Sequence, residues 1–265
     1  MTWPVLVFDI ESIPDVAGLR ALGDYPSEWS DTQVYEAWVQ ARKAEGKSDF
    51  APLYLQRILV LSVVFRGADG LKVHSFVDRD DHSEGKIIQD FFRRIEKYEP
   101  QLVSWNGGGF DLPVLHYRGL RHGVEASKYW DMGDDNREYK WNNYISRYHM
   151  RHLDLMDLLA MYTPKNNAPL DALAKLCGFP GKLGVDGSQV YALYQQGRLE
   201  DIRRYCETDV MNTYLMYCRF QKMRGGLLPD EYEQEMQLVR QTVAQWSQAP
   251  DEPHWAEYLA AWHQG

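Results

Sequence analysis

Short apolar runs mark the predicted β-strands. Residues 3–10 form a nearly continuous run rich in Val and Phe, which is typical of a central strand buried on both faces. Residues 58–65 and 71–77 are two further β-rich runs, and the glycines between them, Gly67 and Gly70, predict a hairpin turn. Another short apolar run covers residues 101–105. We therefore expect a strand at each of these runs.

Apolar residues that recur every three or four positions predict the helices. The clearest stripe lies within residues 83–98 and ends just before Pro100. Helical patterns also cover residues 31–44, 112–121, 154–162, 170–176, 188–195 and 199–223, and two segments within 229–265. The order of these elements predicts an α/β fold in which helices flank a mixed sheet.

Glycines divide the chain into two predicted parts. The Gly225-Gly226 pair closes a main domain of residues 1–224, and the turn-rich segment 14–56 looks like an insertion after the first strand. Residues 225–265 form a C-terminal helical extension that is acidic and contains Trp residues. The extension carries no residues that suggest chemistry, so we expect it to pack against the domain or to contact a partner.

The amino-acid composition is that of a globular protein and not of a membrane-spanning one. The 265 residues are 45% hydrophobic and 25% charged, as in ordinary globular proteins, and no apolar run is long enough to span a bilayer. The start of the sequence lacks a signal-peptide pattern, and the three cysteines show no C-x-x-C spacing. These features favour a cytoplasmic protein with neither a disulfide framework nor a cysteine zinc site.

The net charge of −9, from 29 basic and 38 acidic residues, argues against a protein that coats nucleic acid by bulk attraction. A protein that handles a strand end locally is not excluded, since bound divalent cations reverse the sign of an acidic site.

The first candidate site is Asp9-Ile10-Glu11, where the first strand ends in carboxylates. Side chains two apart on a strand point to the same face, so Asp9 and Glu11 would project together and repel each other unless they share a cation. Paired carboxylates of this kind suit Mg²⁺ or Mn²⁺. Taken alone, the pair is equally compatible with a turn cap and a solvated loop.

The second candidate is Asn106-Gly107-Gly108-Gly109-Phe110-Asp111, between a predicted strand and a predicted helix. Ligand sites in α/β sheets form at the carboxyl ends of strands, and glycines let the backbone approach a substrate closely. No Lys-Ser or Lys-Thr follows, so a phosphate-binding P-loop is disfavoured. Asp111 alone could be a helix N-cap.

The third candidate is Tyr205-Cys206-Glu207-Thr208-Asp209, inside the long late helix. A spacing of four places Tyr205 and Asp209 on one helical face, one turn apart. The apolar positions Ile202, Cys206 and Val210 turn that face inward, where an Asp needs a partner. Alone, this pattern is also that of a half-buried aromatic beside a surface acid.

In this order, the three motifs F-D-I-E, N-G-G-G-F-D and Y-C-E-T-D resemble those of the DEDD superfamily of 3′–5′ exonucleases. The Tyr-x-x-x-Asp form is similar to the DEDDy branch. The chain most resembles the predicted 3′–5′ exonucleases related to the proofreading domain of family-B DNA polymerases. The resemblance covers roughly residues 3–220.

This resemblance implies a ribonuclease H-like fold and a phosphodiesterase that uses two divalent cations, Mg²⁺ or Mn²⁺. By the same resemblance, Asp9 would bridge both metals, Glu11 and Asp209 would ligate the first, and Asp111 would serve the second. Tyr205 would orient the attacking water, because a phenol is a poor base near neutral pH.

The expected substrate is the 3′ end of single-stranded nucleic acid, with DNA favoured over RNA by the resemblance. Asn106 and Phe110 are candidate contacts to the terminal nucleotides, and Phe110 is equally suited to the core. The basic and aromatic stretch 137–151 has the composition of a strand-binding surface or of a solvated loop. Arg203 and Arg204 are candidate phosphate contacts.

Other residues and functions remain open at this point. His149 and His152 have no further soft ligand nearby, which disfavours zinc, and Asp154 could support the catalytic region or cap a helix. A ribonuclease D-type 3′–5′ exoribonuclease shares the three motifs, and a catalytically inactive nucleic-acid-binding module or a nucleotide hydrolase could share the fold.

Overall fold

A mixed five-stranded sheet forms the centre of the computed structural model, which describes residues 4–79, 83–184 and 186–262. Trp3, the expected start of the first strand, and the last three residues of the expected extension lie outside these ranges. The strands are β1 (Val5–Pro14), β2 (Gln56–Gly67), β3 (Gly70–Val77), β4 (Gln101–Ser104) and β5 (His152–Asp154).

The strand order is β3-β2-β1-β4-β5. β1, β2 and β3 are antiparallel neighbours, whereas β4 is parallel to β1 and β5 is parallel to β4. This arrangement, with helices on both faces, confirms the expected ribonuclease H-like α/β fold.

The helices of the described residues follow the sequence pattern in most places. They are α1 (Val16–Leu22), α2 (Asp31–Ala44), α3 (Glu84–Tyr98), α4 (Asp111–His122), α5 (Ser127–Trp130), α6 (Leu155–Leu159), α7 (Leu170–Leu176), α8 (Val190–Gln195), α9 (Leu199–Met223), α10 (Pro229–Trp246) and α11 (His254–Ala261). None of these helices is both long and apolar enough to cross a bilayer.

The prediction of one helix over 154–162 is wrong in part. His152–Asp154 pairs with β4 as the edge strand β5, and α6 covers only Leu155–Leu159. A three-residue strand is too short to show alternating polarity, so its pairing partner, not its own pattern, defines it.

β1 separates two hydrophobic cores. Leu6, Phe8 and Ile10 pack into a core with α3 and α4, whereas Val5 and Val7 pack into a core with α9. Because side chains alternate along a strand, the next residues in the row of Val5 and Val7 also point towards α9. Those residues are Asp9 and Glu11.

β1 is longer than its neighbour β4. Their pairing ends at Val7 opposite Val103, whereas β1 continues to Pro14, which lies opposite Gln56 of β2. The two carboxylates therefore lie within the strand and not at its end as expected. On the β4 side, the second half of β1 is left open for other groups.

The C-terminal helices α10 and α11 pack on α9. Tyr232, Met236 and Val239 of α10 and Trp255 and Tyr258 of α11 belong to the same core cluster as the buried face of α9. The expected packing of this segment against the main domain is therefore observed. The boundary at residue 224 and the treatment of 14–56 as an insertion stay predictions.

A buried ion-pair network ties the segment between β1 and β2 to the sheet and α4. The Arg118 side chain, 2% exposed, donates to Glu84 Oε1 at 2.8 Å and to Asp15 Oδ2 at 2.5 Å. Asp15 also caps α1 by accepting the Gly18 N–H, and Glu84 accepts the Ile58 N–H at 2.8 Å. Arg118 is therefore the buried cation that both acids share, while Arg121 adds a contact to Asp15 and His122 adds one to Glu84.

We predict that Arg118→Ala lowers the free energy of unfolding by about 3–5 kcal/mol, because it leaves two buried carboxylates without their main partner. Urea denaturation followed by tryptophan fluorescence measures this loss. Arg93→Ala is the control, since the Arg93 side chain is 67% exposed and its removal should cost less than about 1 kcal/mol. Equal effects of the two substitutions would contradict the role given to Arg118.

Candidate active site

Asp9 and Glu11 project from β1 towards α9. Glu11 is buried and Asp9 is half-buried. The Cys206 thiol of α9 lies 3.5 Å from Asp9 Oδ2, which fixes the direction in which this carboxylate points. Ligand atoms of Asp9, Glu11 and Cys206 all lie within 4.8 Å of one another. The first sequence motif therefore faces the third across the core.

Asp111 is the first residue of α4 and is 4% exposed. Its Oδ1 accepts the Ile10 N–H at 3.0 Å, at the point of β1 between the two other carboxylates. This hydrogen bond is available because β4 has already ended and does not pair with β1 there. The second motif is thus held against the first by a backbone contact.

The turn before α4 is shaped by close packing. Asn106 has a φ of +68°, and a Cβ on Gly107 would lie 2.3 Å from Ser104 Oγ, so only glycine fits that position. Asp154 accepts the N–H groups of Asn106 at 2.9 Å and Gly108 at 2.8 Å while it caps α6. Both roles considered for Asp154, support of this region and helix cap, are therefore observed.

Tyr205 and Asp209 lie on the buried face of α9, at 6% exposure each. Asp209 Oδ1 is buried and has no hydrogen-bond partner among the described residues. An unsatisfied buried carboxylate oxygen is costly, so its presence points to a ligand at this position.

Lys182 is a site residue that the sequence pattern did not reveal. Its Nζ donates to Tyr205 Oη at 2.5 Å and lies 3.4 Å from Asp209 Oδ2. The residue lies in an irregular Gly-rich segment between α7 and α8, where a single Lys gives no periodic signal. Only the tertiary fold brings its charge to the acids.

Burial and mutual repulsion govern the electrostatics of the four acids. Burial raises the pKa of Asp9 well above its ordinary value, and the charges of Asp111 and Asp209 raise it further. The pKa of Glu11 is likewise raised by burial and, in addition, by the charges of Asp9 and Asp209. Burial also raises the pKa of Asp209, and it raises the pKa of Asp111 to about 7. The group is therefore short of positive charge.

The four carboxylates fit hard divalent cations. All their donors are oxygens, as Mg²⁺ and Mn²⁺ prefer, and an orphaned oxygen of Asp209 lies in the site. Burial raises the pKa of the Cys206 thiol well above its usual range, and the charges of Asp9 and Glu11 raise it further, so sulfur remains a neutral donor to Asp9. Asp9, Glu11, Asp111 and Asp209 are the residues able to hold such cations.

Tyr205 is held as a neutral phenol. Burial raises its pKa, and the charges of Asp209, Glu11 and Asp9 raise it further. Its oxygen accepts a hydrogen bond from Lys182, and the negative charge of Asp209 acts on it from one helical turn away. Tyr205 can therefore orient a neighbouring group, but it is a poor proton acceptor.

A cleft of about 470 Å³ opens over these residues. Its walls include Trp105, Asn106, Phe110 and also Phe50, which comes from the segment between β1 and β2. The rings of Phe50 and Phe110 have centroids 6.0 Å apart. Phe50 was missed because a lone Phe in a turn-rich stretch carries no pattern. Asn106 and Phe110 thus border the cleft, and their contact with the terminal nucleotides stays a prediction.

The basic and aromatic stretch 137–151 divides between core and surface. Tyr139 and Tyr144 are fully buried, whereas Trp141 and Tyr148 are exposed at 76% and 69%. Only the exposed part can meet a ligand.

The two histidines of the 149–152 stretch both make hydrogen bonds within the protein. His152 bonds to Ser104 Oγ at 2.8 Å, and His149 Nδ1 accepts the Asn143 N–H.

The expectation that Arg203 contacts substrate phosphate is wrong. Arg203 is 9% exposed and bonds to Glu200, Glu207 and Glu252. These acids neutralise its charge within the protein. Arg204 donates to the Asp251 carbonyl at 2.9 Å.

One family model matches residues 48–262 and is described as a predicted 3′–5′ exonuclease related to the exonuclease domain of PolB. The match includes Asp111, Tyr205 and Asp209 and starts after Asp9 and Glu11. It also runs through the C-terminal helices, beyond the 3–220 that the motifs indicated.

Relatives of known identity are DNA polymerases. The DNA polymerase of Archaeoglobus fulgidus is 27% identical over 153 residues, which is 57% of this chain and 18% of the polymerase. DNA polymerase 1 of Saccharolobus solfataricus is 28% identical over 145 residues, 48% of this chain and 16% of that protein. The chain thus spans less than a fifth of the length of either relative.

Among solved structures, the family B DNA polymerase from the hyperthermophilic archaeon Pyrobaculum calidifontis is similar to the chain with a TM-score of 0.49 and 18% identity. The similarity covers 81% of this chain and 24% of the polymerase chain.

We predict that a divalent cation reverses which protein is more stable, the wild type or Asp9→Asn. In EDTA the variant should be at least as stable as the wild type, because it removes one of four mutually repelling acids. With Mn²⁺ at about 100 times its Kd, the wild type should gain about 2.7 kcal/mol and the variant much less. Differential scanning fluorimetry measures both orders.

Asp230→Asn, at an exposed acid of α10, is the matched control and should follow the wild type in both buffers. The same Mn²⁺ gain in wild type and Asp9→Asn would contradict a cation site at Asp9.

Proposed function

Since the chain belongs to the family of predicted 3′–5′ exonucleases related to the exonuclease domain of PolB, we propose that it trims nucleic acid from the 3′ end. Its substrate is single-stranded DNA, and its products are nucleoside monophosphates. The observation that supports this function best is the convergence of four carboxylates from three motifs distant in the sequence, one of which, Asp209, has a buried oxygen without a hydrogen-bond partner among the described residues.

Asp9, Glu11, Asp111 and Asp209 hold two divalent cations, Mg²⁺ or Mn²⁺, in this proposal. When bound, such cations stabilise the attacking and leaving oxygens of a phosphodiester displacement. The protein contributes a rigid set of oxygen ligands from β1, α4 and α9, because each carboxylate is buried or anchored by the fold.

Tyr205 orients the attacking water in this mechanism. Its phenol stays protonated, and the hydrogen bond from Lys182 fixes the position of the phenol oxygen. Lys182 also brings a positive charge into the cleft, where it offsets the acids and can meet the scissile phosphate. The proton of the attacking water passes to solvent, because Tyr205 does not act as a base at neutral pH.

The aromatic walls of the cleft favour an unpaired strand end. Phe50 and Phe110 offer ring faces on which a base can stack, and stacking needs a base that is not paired in a duplex. Asn106 supplies an amide for the terminal nucleotide. The preference for DNA rests on the relatives, which are DNA polymerases by name.

We predict that the protein converts 5′-labelled single-stranded DNA into a ladder of products shortened one nucleotide at a time in Mg²⁺ or Mn²⁺. Asp209→Ala should trim at least about a hundredfold more slowly, because it removes an oxygen ligand of the cation site. Gel electrophoresis of timed samples measures the rates. The control Asp201→Ala removes an acid of the same helix outside the cleft and should trim at nearly the wild-type rate.

Matched RNA and free nucleotides distinguish the other activities. Trimming of RNA alone would show an exoribonuclease, and release of phosphate from free nucleotides with an intact oligomer would show a nucleotide hydrolase. Saturable strand binding with no cleavage in either metal would identify an inactive binding module.

We predict that Lys182→Met lowers kcat for DNA trimming by about 10- to 100-fold, the range of a lost electrostatic or positioning group. Methionine keeps the length of the side chain but removes its charge and its bond to Tyr205. Quench-flow single-turnover assays measure the rate. Lys72→Met is the control, because Lys72 is an exposed residue of the edge strand β3 and does not line the cleft. A wild-type rate in Lys182→Met would rule out this role.

A further inference from the structure

The C-terminal helix α11 is linked to the cleft by a chain of buried hydrogen bonds. Tyr258 of α11 is fully buried, and its hydroxyl donates to Asn212 Oδ1 at 2.9 Å. Asn212 lies on α9, one turn beyond Asp209, and is also fully buried. Because both groups are out of reach of water, each depends on the other for its hydrogen bond.

Asn212 in turn holds both polar backbone groups of Gly181. Its Oδ1 accepts the Gly181 N–H at 3.2 Å, and its Nδ2 donates to the Gly181 carbonyl at 2.9 Å. This pairing fixes which end of the amide is oxygen, because a flipped amide would lose both bonds to Gly181. The second lone pair of Oδ1 is used by Tyr258.

Gly181 is confined on its other side by Asp171. It has a φ of +70°, and a Cβ at this position would lie 2.5 Å from Asp171 Oδ1. The same Asp171 oxygen accepts the N–H of Lys182 at 2.7 Å. The backbone at 181–182 is therefore clamped between α7 and α9.

Lys182 extends from this clamp into the cleft. Its ammonium contacts Tyr205 Oη at 2.5 Å and Asp209 Oδ2 at 3.4 Å. A long Lys side chain has considerable rotamer freedom, so a fixed backbone is what lets this side chain, which is 30% exposed, keep its ammonium in one position. The series of hydrogen bonds that fixes the Lys182 backbone begins at the hydroxyl of Tyr258.

We propose that Tyr258 and Asn212 are positioning residues of the exonuclease reaction. They hold the 181–182 backbone in the one conformation that brings Lys182 to Tyr205 and Asp209. This inference rests on the function proposed above and gives the C-terminal helices a part in it. Neither residue touches the substrate, so each acts through Lys182.

A second buried cluster keeps α11 in place for this role. His254, the first residue of α11, bonds to Glu207 Oε2 of α9 at 2.9 Å, and Arg203 bonds to both Glu207 and Glu252. The positive charge of Arg203 neutralises these acids, so the cluster does not need a metal ion. Its hydrogen bond to His254 holds the start of α11 against α9. Tyr258, one turn later, is thereby kept against Asn212.

The test compares Tyr258→Phe with Tyr214→Phe. Both tyrosines are fully buried and both substitutions remove only a hydroxyl, but Tyr214 bonds to Glu235 of α10 at 2.6 Å and not to the clamp. Tyr258→Phe should lower kcat on single-stranded DNA about tenfold, with KM changed less than about twofold. Tyr214→Phe should keep the wild-type kcat at a similar loss of thermal stability.

A double-mutant cycle separates positioning from general weakening. In the Lys182→Met background, Tyr258→Phe should cause no further loss of kcat, because the group that it positions is already absent. Hydrogen exchange followed by NMR supplies a readout independent of activity. The amides of Gly181 and Lys182 should exchange at least about tenfold faster in Tyr258→Phe than in wild type or Tyr214→Phe.

These experiments distinguish failure of the positioning role from failure of the proposed exonuclease function. A wild-type kcat for Tyr258→Phe, or losses that simply multiply with those of Lys182→Met, would overturn the inference while the exonuclease function stands. A wild-type protein that leaves DNA intact would instead overturn the proposed function. Unchanged exchange at Gly181 and Lys182 would show that Tyr258 does not support the clamp at all.

Discussion

Repulsion among four carboxylates, three of them buried and one half-buried, is the constraint on which the rest of the structure depends. Moving carboxylates out of water and close together costs free energy twice, through lost hydration and through like charge. The fold opposes this cost with a large apolar core on both faces of β1. Among the described residues, Lys182 is the one cation whose charge acts on these acids, and this shortage of positive charge is what would favour divalent ions in the proposed function.

The unequal lengths of β1 and β4 create the space for these acids. Had β4 continued beyond Ser104, it would have satisfied the Ile10 N–H and filled the edge of β1. Because it ends there, Asp111 takes that N–H and the Asn106 to Phe110 turn passes over the open edge. The same geometric feature therefore both positions one carboxylate and opens the cleft for a substrate.

Residues in repeating patterns could be predicted from the sequence, and residues placed by isolated tertiary contacts could not. The helices at 31–44 and 199–223 were found with their observed bounds, because many residues share one periodic signal. The acids were found because three motifs occur in a known order. Lys182, Phe50 and β5 carry no such redundancy, since one side chain or three paired residues acquire meaning only from partners distant in the sequence.

The C-terminal helices show why lack of reactive residues is a weak argument against a part in catalysis. An ammonium on an irregular segment has no helix or strand to hold it, so its precise position must come from hydrogen bonds to rigid neighbours. Asn212 can provide them because α9 is buried along most of its length. The Asn212 side-chain oxygen accepts a second hydrogen bond from Tyr258, which lies on a helix more than 40 residues later in the chain. The packing of α11 therefore contributes to the position of Lys182.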